Sequence, residues 1–310
     1  MKYKEWIEIW LYSYIKPTNK TRTFENYKQM LDNHIITKIG DLDIMEIKPL
    51  LLQNFFTELL KIGNKLNGSG LSASTVNLII TIVQNSLKTA FRIGIINEYT
   101  ADRIKRPKLK ESEVSCFNLI EQRKIEQAIL SDKRDKMFGI LLCLYMGLRI
   151  GELLALTWDD INFISGFISV NKTCYDGKNN CRLIFEPKTK SSKRTIPIPK
   201  QLIPILRLKK KKSKTKYVIE ENGKMVTIRS YQRSFALLLK KLNVEHRGFH
   251  SLRHTFATRA LESGMDVKTL SEILGHKNAI ITLNRYVHSL MEHKQEMMNK
   301  LGKMLNKNVA

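Results

Sequence analysis

Apolar residues recur along this chain at two periods, and the switch between them divides it. In the first part the period is helical. Trp6, Ile9, Trp10 and Ile15 mark a first helix that Pro17 closes. A second runs from about Thr23 through Tyr27, Met30 and Leu31 to Ile39, with Gly40 as its stop. Pro49 opens a third over 50–62, which Gly63 stops. A polar loop, 64–70, leads to Ser72, a cap for a fourth helix that reaches Gly94. Four helices with short links predict a compact bundle. Residues 103–114, RIKRPKLKESEV, then break the pattern with charge and proline and read as an interdomain linker. The expected division is a helical domain at 1–107, a linker at 108–115 and a second domain at 116–310.

In that second domain Asn118 caps a helix through Leu130, and the almost wholly apolar stretch 138–146 should be a buried helix ended by Gly147. A further helix is expected over 150–156. The period then falls to two. Residues 167–170, 182–185 and 194–198 alternate, with turns at Asp176-Gly177 and 188–192, which predicts a three-stranded antiparallel sheet. The lysine-rich run 208–216 should be solvated and mobile. Helical spacing returns at 230–242, with Phe235, Leu238 and Leu239 inward, and again at Phe249, Leu252, Phe256 and Ala260. Gly264 is a stop, Asp266 a start and Gly275 another stop. A short apolar stretch, 280–283, precedes Tyr286. Leu290, Met297, Leu301 and Met304, with Met291, Met298 and Leu305 beside them, predict a terminal amphipathic helix over 289–306. The fold class is mainly α with a small antiparallel β-sheet, that is α+β.

Composition adds a partner. Lys and Arg number 53 against 29 Asp and Glu, a formal net charge of +24. Such an excess points to a polyanion, nucleic acid first. Lys20, Arg22, Lys28, Lys65, Lys88 and Arg92 in the bundle are candidate phosphate contacts. The N-terminus lacks a signal-peptide apolar core, and no apolar run is long enough to cross a membrane, so a cytoplasmic, nucleoid-associated protein is expected. Cys116, Cys143, Cys174 and Cys181 show no CxxC pairing and read as reduced thiols.

Candidate chemistry gathers late in the chain. His250 and Arg253 lie three apart in HSLRHTFATR and share a helix face. His276 lies just past a helix end, and Tyr286 follows. A tyrosine hydroxyl is a poor nucleophile without help, an arginine fork grips phosphate oxygens, and histidine handles protons near neutrality. Together they describe attack on a phosphodiester. A doubly charged transition state needs a second arginine, which stands at Arg149 in GLRIGELLAL, with Glu152 as its expected partner. His250 and His254 are four apart, as helical zinc ligands can be, but no glutamate lies between them and Arg253 would repel a cation. His254 reads as fold support.

Arg149, Lys188 in EPKTKSSKRTIPI, His250, Arg253, His276 in LGHKN and Tyr286 in TLNRYVH resemble, in type, order and approximate spacing, the active site of the tyrosine recombinase family. Within it the likeness is to integrases of Gram-positive phages and conjugative elements. The resemblance implies a helical core-binding domain that clamps DNA, followed by a tyrosine-recombinase catalytic domain. It implies Tyr286 as nucleophile forming a 3′-phosphotyrosyl link and Arg149 and Arg253 on the non-bridging oxygens. It also implies His250 taking the tyrosine proton, Lys188 protonating the leaving 5′ oxygen, and His276 hydrogen-bonding the phosphate. The resemblance favours Lys188 over its neighbours Lys190 and Lys193 for that role. Implied partners are double-stranded DNA and three further copies of the chain, a homotetramer on two DNA sites, with an accessory DNA-bending or directionality factor possible. No metal and no nucleotide cofactor are expected. The first helix begins almost at Met1, so the arm-site domain of many such integrases is not expected here. A type IB topoisomerase and an idle DNA-binding protein of the same fold are the alternatives.

Overall fold

The computed structural model describes residues 1–64, 67–99, 101–109, 115–132, 134–177, 182–186, 193–276 and 291–306. The chain forms two compact units, Met1–Ser112 and Glu113–Ala310.

The first unit is a helical bundle. Its opening helix is α1 (Tyr3–Ile9), continued by a wider π-helical turn, Trp10–Ile15, and a last turn, Lys16–Thr18. The second helix has the same design: α2 (Thr21–Met30), a π-helical turn Leu31–Ile35, and Ile36–Ile39. α3 (Pro49–Ile62) begins on its proline, and α4 (Ala73–Arg92) begins where Ser72 accepts a hydrogen bond from the Thr75 amide at 3.1 Å. The aromatic residues of α1 anchor the core against α4. Tyr3, Trp6 and Trp10 are buried, and each finds a polar partner there. The Tyr3 hydroxyl meets Ser86 Oγ at 2.7 Å, Trp6 Nε1 donates to the Ser86 carbonyl, and Trp10 Nε1 donates to Thr89 Oγ1. Buried aromatics keep their stability only when such groups are satisfied.

Residues 103–107 are bound to the bundle, although Arg103, Lys105 and Arg106 remain exposed. Ile104 is buried, Arg106 donates to Thr81 and Gln84, and Asn77 donates to the Pro107 carbonyl. The stems of charged residues cover apolar surface while their heads find partners, which a composition argument does not see.

The second unit starts with α5 (Leu119–Leu130), where Asn118 and Glu121 satisfy each other's backbone amides. α6 (Phe138–Met146) is buried except for Tyr145 and stops at Gly147, φ 63°. α7 (Ile150–Ala155) packs on the sheet region through Gly151, where a Cβ would lie 2.7 Å from the Cys174 carbonyl. Among the described residues seven short strands follow: β1 (Ile161–Asn162), β2 (Phe167–Val170), β3 (Thr173–Asp176), β4 (Arg182–Phe185), β5 (Arg194–Pro197), β6 (Glu220–Glu221) and β7 (Lys224–Met225).

Their pairing departs from expectation. The three-stranded antiparallel sheet is β1-β2-β5, and β4 pairs instead with β3. A turn is expected at Asp176-Gly177, and residues 173–176 leading into it form a strand that pairs with β4. They form a strand because Tyr175 stacks on Phe185 at 4.8 Å between ring centroids, a cross-strand pair that fixes the ladder. Pairing of β2 directly with β5 follows, with Ile168 opposite Ile196 in the core.

A second correction concerns the lysine run. Its first half belongs to α8 (Leu202–Lys212), since buried Leu202 and Leu206 hold that helix while its lysines collect at the C-terminal end, where the helix dipole favours cations. α9 (Ile228–Lys241) buries Tyr231, Phe235, Leu238 and Leu239. α10 (Ser251–Glu262) packs on α6, and α11 (Val267–Leu274) runs from its Asp266 cap to Gly275, φ 65°. α12 (Met291–Asn306) closes the described chain. No helix among the described residues is long and apolar enough to cross a membrane.

Candidate active site

Two local features place the site. Gly147 and Gly275, both in the left-handed region, end α6 and α11, and each leaves helix carbonyls without an intrahelical partner. The arginines find those carbonyls. Arg253, on the first turn of α10, is buried with 2% exposure. Its Nη1 donates to the Gly147 carbonyl at 2.7 Å and its Nη2 to the Leu274 carbonyl at 2.6 Å. Nη2 also lies 3.0 Å from His276 Nε2. Arginine has no lone pair to offer, so that ring nitrogen is the acceptor and His276 carries its proton on Nδ1.

Arg149 stands at the start of α7, about one third exposed. Its backbone amide donates to Glu152 Oε2 at 2.9 Å, its Nη1 to Glu152 Oε1 at 2.8 Å, and its Nη2 reaches the Gly275 carbonyl at 3.4 Å. Glu152 is therefore the partner the sequence named. It is also shared with a residue the sequence reading missed. Arg194, the first residue of β5, forks onto both Glu152 oxygens at 3.0 and 2.9 Å, and its Nε donates to the Ile273 carbonyl at 2.5 Å. One signal was available: Arg194 is two residues before Ile196, so the strand's alternation turns it inward.

Burial alone would raise the Glu152 carboxyl, but the Arg194 fork and the Arg149 charge outweigh it and hold the group down at about 2. Both guanidiniums reach the same Glu152 oxygen. Coulomb energy falls inversely with distance, so each contact at hydrogen-bond range exceeds the repulsion between the two cations, which sit farther apart. Three arginines against one carboxylate leave an excess of positive charge at the end of α11, which suits an anionic ligand.

His250 precedes α10 as its cap residue, and its ring meets the His254 ring edge-on at 4.6 Å, where His254 is buried as fold support would require. No group of three His, Cys, Asp or Glu side chains among the described residues could hold a metal. Arg149, His250, Arg253 and His276 are thus placed within or beside one cluster of helix ends. Lys188, its neighbour Lys190 and the nucleophile Tyr286 lie outside the described residues, as does Cys181. Lys193 is exposed and pairs with Glu186 at 2.8 Å. Tyr231 is unsuited to nucleophilic work: it is buried, its hydroxyl donates to the Lys136 carbonyl at 2.7 Å, and burial drives its ionisation well above the usual range.

Comparison with known proteins identifies the family. Residues 118–293 match the phage integrase family, and residues 2–60 match the N-terminal SAM-like domain of phage integrases. A XerC-like tyrosine recombinase of Caldanaerobacter subterraneus subsp. tengcongensis is 31% identical over 96% of this chain and 81% of its own length. Among solved structures, the Tn1549 transposon integrase in complex with transposon right-end DNA has a TM-score of 0.79 at 23% identity, covering 97% of this chain and all of that one. A lambda integrase tetramer bound to a Holliday junction has a TM-score of 0.69 at 19% identity, covering 90% of this chain and 78% of that one. These matches favour site-specific recombination over the topoisomerase and idle-protein alternatives. This chain belongs to the phage integrase family of tyrosine recombinases, enzymes that cut and rejoin DNA at specific sites.

Proposed function

We propose that this recombinase integrates or excises a mobile element with Arg149, Lys188, His250, Arg253, His276 and Tyr286 as its reacting set. The reading rests chiefly on one observation: Arg149, Arg253 and His276 converge on the carbonyl end of α11, inside the family's matched region. In the reaction the Tyr286 oxygen attacks the scissile phosphorus. The bond from phosphorus to tyrosine forms, the bond from phosphorus to the 5′ oxygen breaks, and the 3′ end stays on the enzyme. His250 takes the tyrosine proton and Lys188 supplies one to the 5′ oxygen, which leaves as a hydroxyl. Arg149 and Arg253 face the non-bridging oxygens, where charge accumulates in the transition state, and His276 donates a hydrogen bond there. The phosphotyrosine conserves the phosphodiester's energy, so rejoining to a new 5′ hydroxyl needs no nucleotide.

The substrate is double-stranded DNA, bound by both units, and four copies of the chain act on two sites. The net charge of +24 and the DNA-bound Tn1549 neighbour support DNA as partner, and the lambda integrase tetramer supports the assembly by analogy. The bundle is the DNA-clamping, core-binding domain in this reading. The decisive experiment is Tyr286→Phe on a nicked suicide substrate. The variant is expected to bind DNA like the wild type and to give no covalent protein–DNA adduct on a denaturing gel. An adduct in the Phe variant would remove Tyr286 from its role.

A further inference from the structure

We propose that Arg194 is a positioning residue of the recombination site, which locks the Arg149–Glu152 pair to the end of α11 so that Arg149, Arg253 and His276 address one phosphate. The inference rests on the reading of that set as the phosphate clamp, and it adds a residue outside the set.

Three consecutive carbonyls at the end of α11 are each taken by a different arginine. Ile273 accepts from Arg194, Leu274 from Arg253 and Gly275 from Arg149. The last carbonyls of a helix carry partial negative charge, so this end draws guanidiniums together that would otherwise repel. Of the three, Arg194 is the one that forks onto a carboxylate with both Nη atoms, holding both Glu152 oxygens from a side chain that is 6% exposed. It spans three elements: the strand β5 that carries it, α7 through Glu152, and α11 through Ile273. Glu152 in turn fixes Arg149 by backbone and side chain. Without Arg194, Glu152 keeps one cation, and the end of α11 is held to α7 only by the longer Arg149–Gly275 contact, so Arg149 and His276 can shift relative to each other. A two-pronged fork is required, because lysine cannot hold both oxygens and a carbonyl in fixed geometry.

The test measures single-turnover cleavage of a suicide substrate at saturating DNA, DNA affinity, and melting temperature for Arg194→Ala, Arg194→Lys and the control Arg253→Ala. Arg194→Ala is expected to slow cleavage on the order of 100-fold, the scale of a misplacement near 1 Å, with affinity within about 3-fold of wild type. Added methylguanidinium should restore part of the rate to Arg194→Ala and none to Arg194→Lys, whose side chain fills the space. Should the alanine variant melt below the assay temperature, Arg194→Lys carries the test, with slowed cleavage and retained binding expected. Wild-type cleavage by folded Arg194→Ala or by Arg194→Lys overturns the proposal, as does a loss of affinity that accounts for the whole loss of rate, since Arg194 would then be a DNA contact. Normal cleavage by Arg253→Ala would instead overturn the reading of the clamp itself.

Discussion

At the scale of single residues, Glu152 carries the most consequence for its size. It is 5% exposed and negatively charged between two arginines, and removing its charge leaves Arg194 buried without its counter-ion. Breaking one side of such a pair costs roughly 3–5 kcal/mol. Glu152→Gln is therefore expected to lower unfolding stability by an amount in that range at neutral pH, measured by urea titration. The pH dependence has a definite sign. The folded carboxyl titrates at about 2, below the value of about 4.3 for an unfolded glutamate. Its contribution is complete above the unfolded value and is lost as pH falls toward 2. Stability curves of the wild type and Glu152→Gln should run parallel from pH 8 to about 5 and converge below about pH 4. Parallel curves down to the lowest pH would mean that the carboxylate is not held by the arginines.

At the scale of elements, the junction between α6 and α7 depends on backbone handedness. Gly147 has φ 63°, and a Cβ there would approach a Phe256 ring carbon of α10 at 2.5 Å and a Leu274 methyl of α11 at 2.9 Å. Arg253 reads the Gly147 carbonyl, so any shift of this turn moves the site. Gly147→Ala combines a left-handed conformation with overpacking, at a joint cost of roughly 2–4 kcal/mol. The expected result is a lower urea midpoint with unchanged slope, together with slowed cleavage. An alanine variant with wild-type midpoint and rate would show that the turn relaxes freely. The sheet teaches a related lesson about elements. Alternation marked strands at 167–170, 182–185 and 194–198, the last of which ends at Pro197, but it does not encode partner choice: β4 joins β3, where Tyr175 stacks on Phe185.

At the scale of the whole molecule, α12 carries unspent apolar surface. Met298, Leu301, Met304 and Leu305 are exposed to between 44 and 66%. An amphipathic helix at a chain's end requires a groove, and methionine adapts to more than one. In the proposed tetramer that groove belongs to a neighbouring copy, and the connection from Tyr286 to α12 ties nucleophile position to assembly. Ending the chain after Ser289 is expected to leave binding to a single DNA site largely intact while abolishing tetramer formation on paired sites, followed by light scattering, and recombination, followed by product DNA. Recombination at the wild-type rate by the shortened chain would remove α12 from both roles.

The sequence by itself determined the helices, their caps and the chemistry. Ser72, Asn118, Asp266, Gly147 and Gly275 act within a few residues of themselves, so their roles are legible from local order. The types and order of Arg149, His250, Arg253, His276 and Tyr286 named a phosphodiester reaction for the same reason, because functional groups declare their chemistry wherever they stand. The tertiary structure decided which carbonyl each arginine caps, which strand β4 joins, and that the 103–107 segment lies against the bundle. Those outcomes depend on pairs far apart in the chain, such as Arg194 with Glu152 and Ile273. Long-range pairs leave no period in the sequence, and only folding brings their charges to hydrogen-bonding distance.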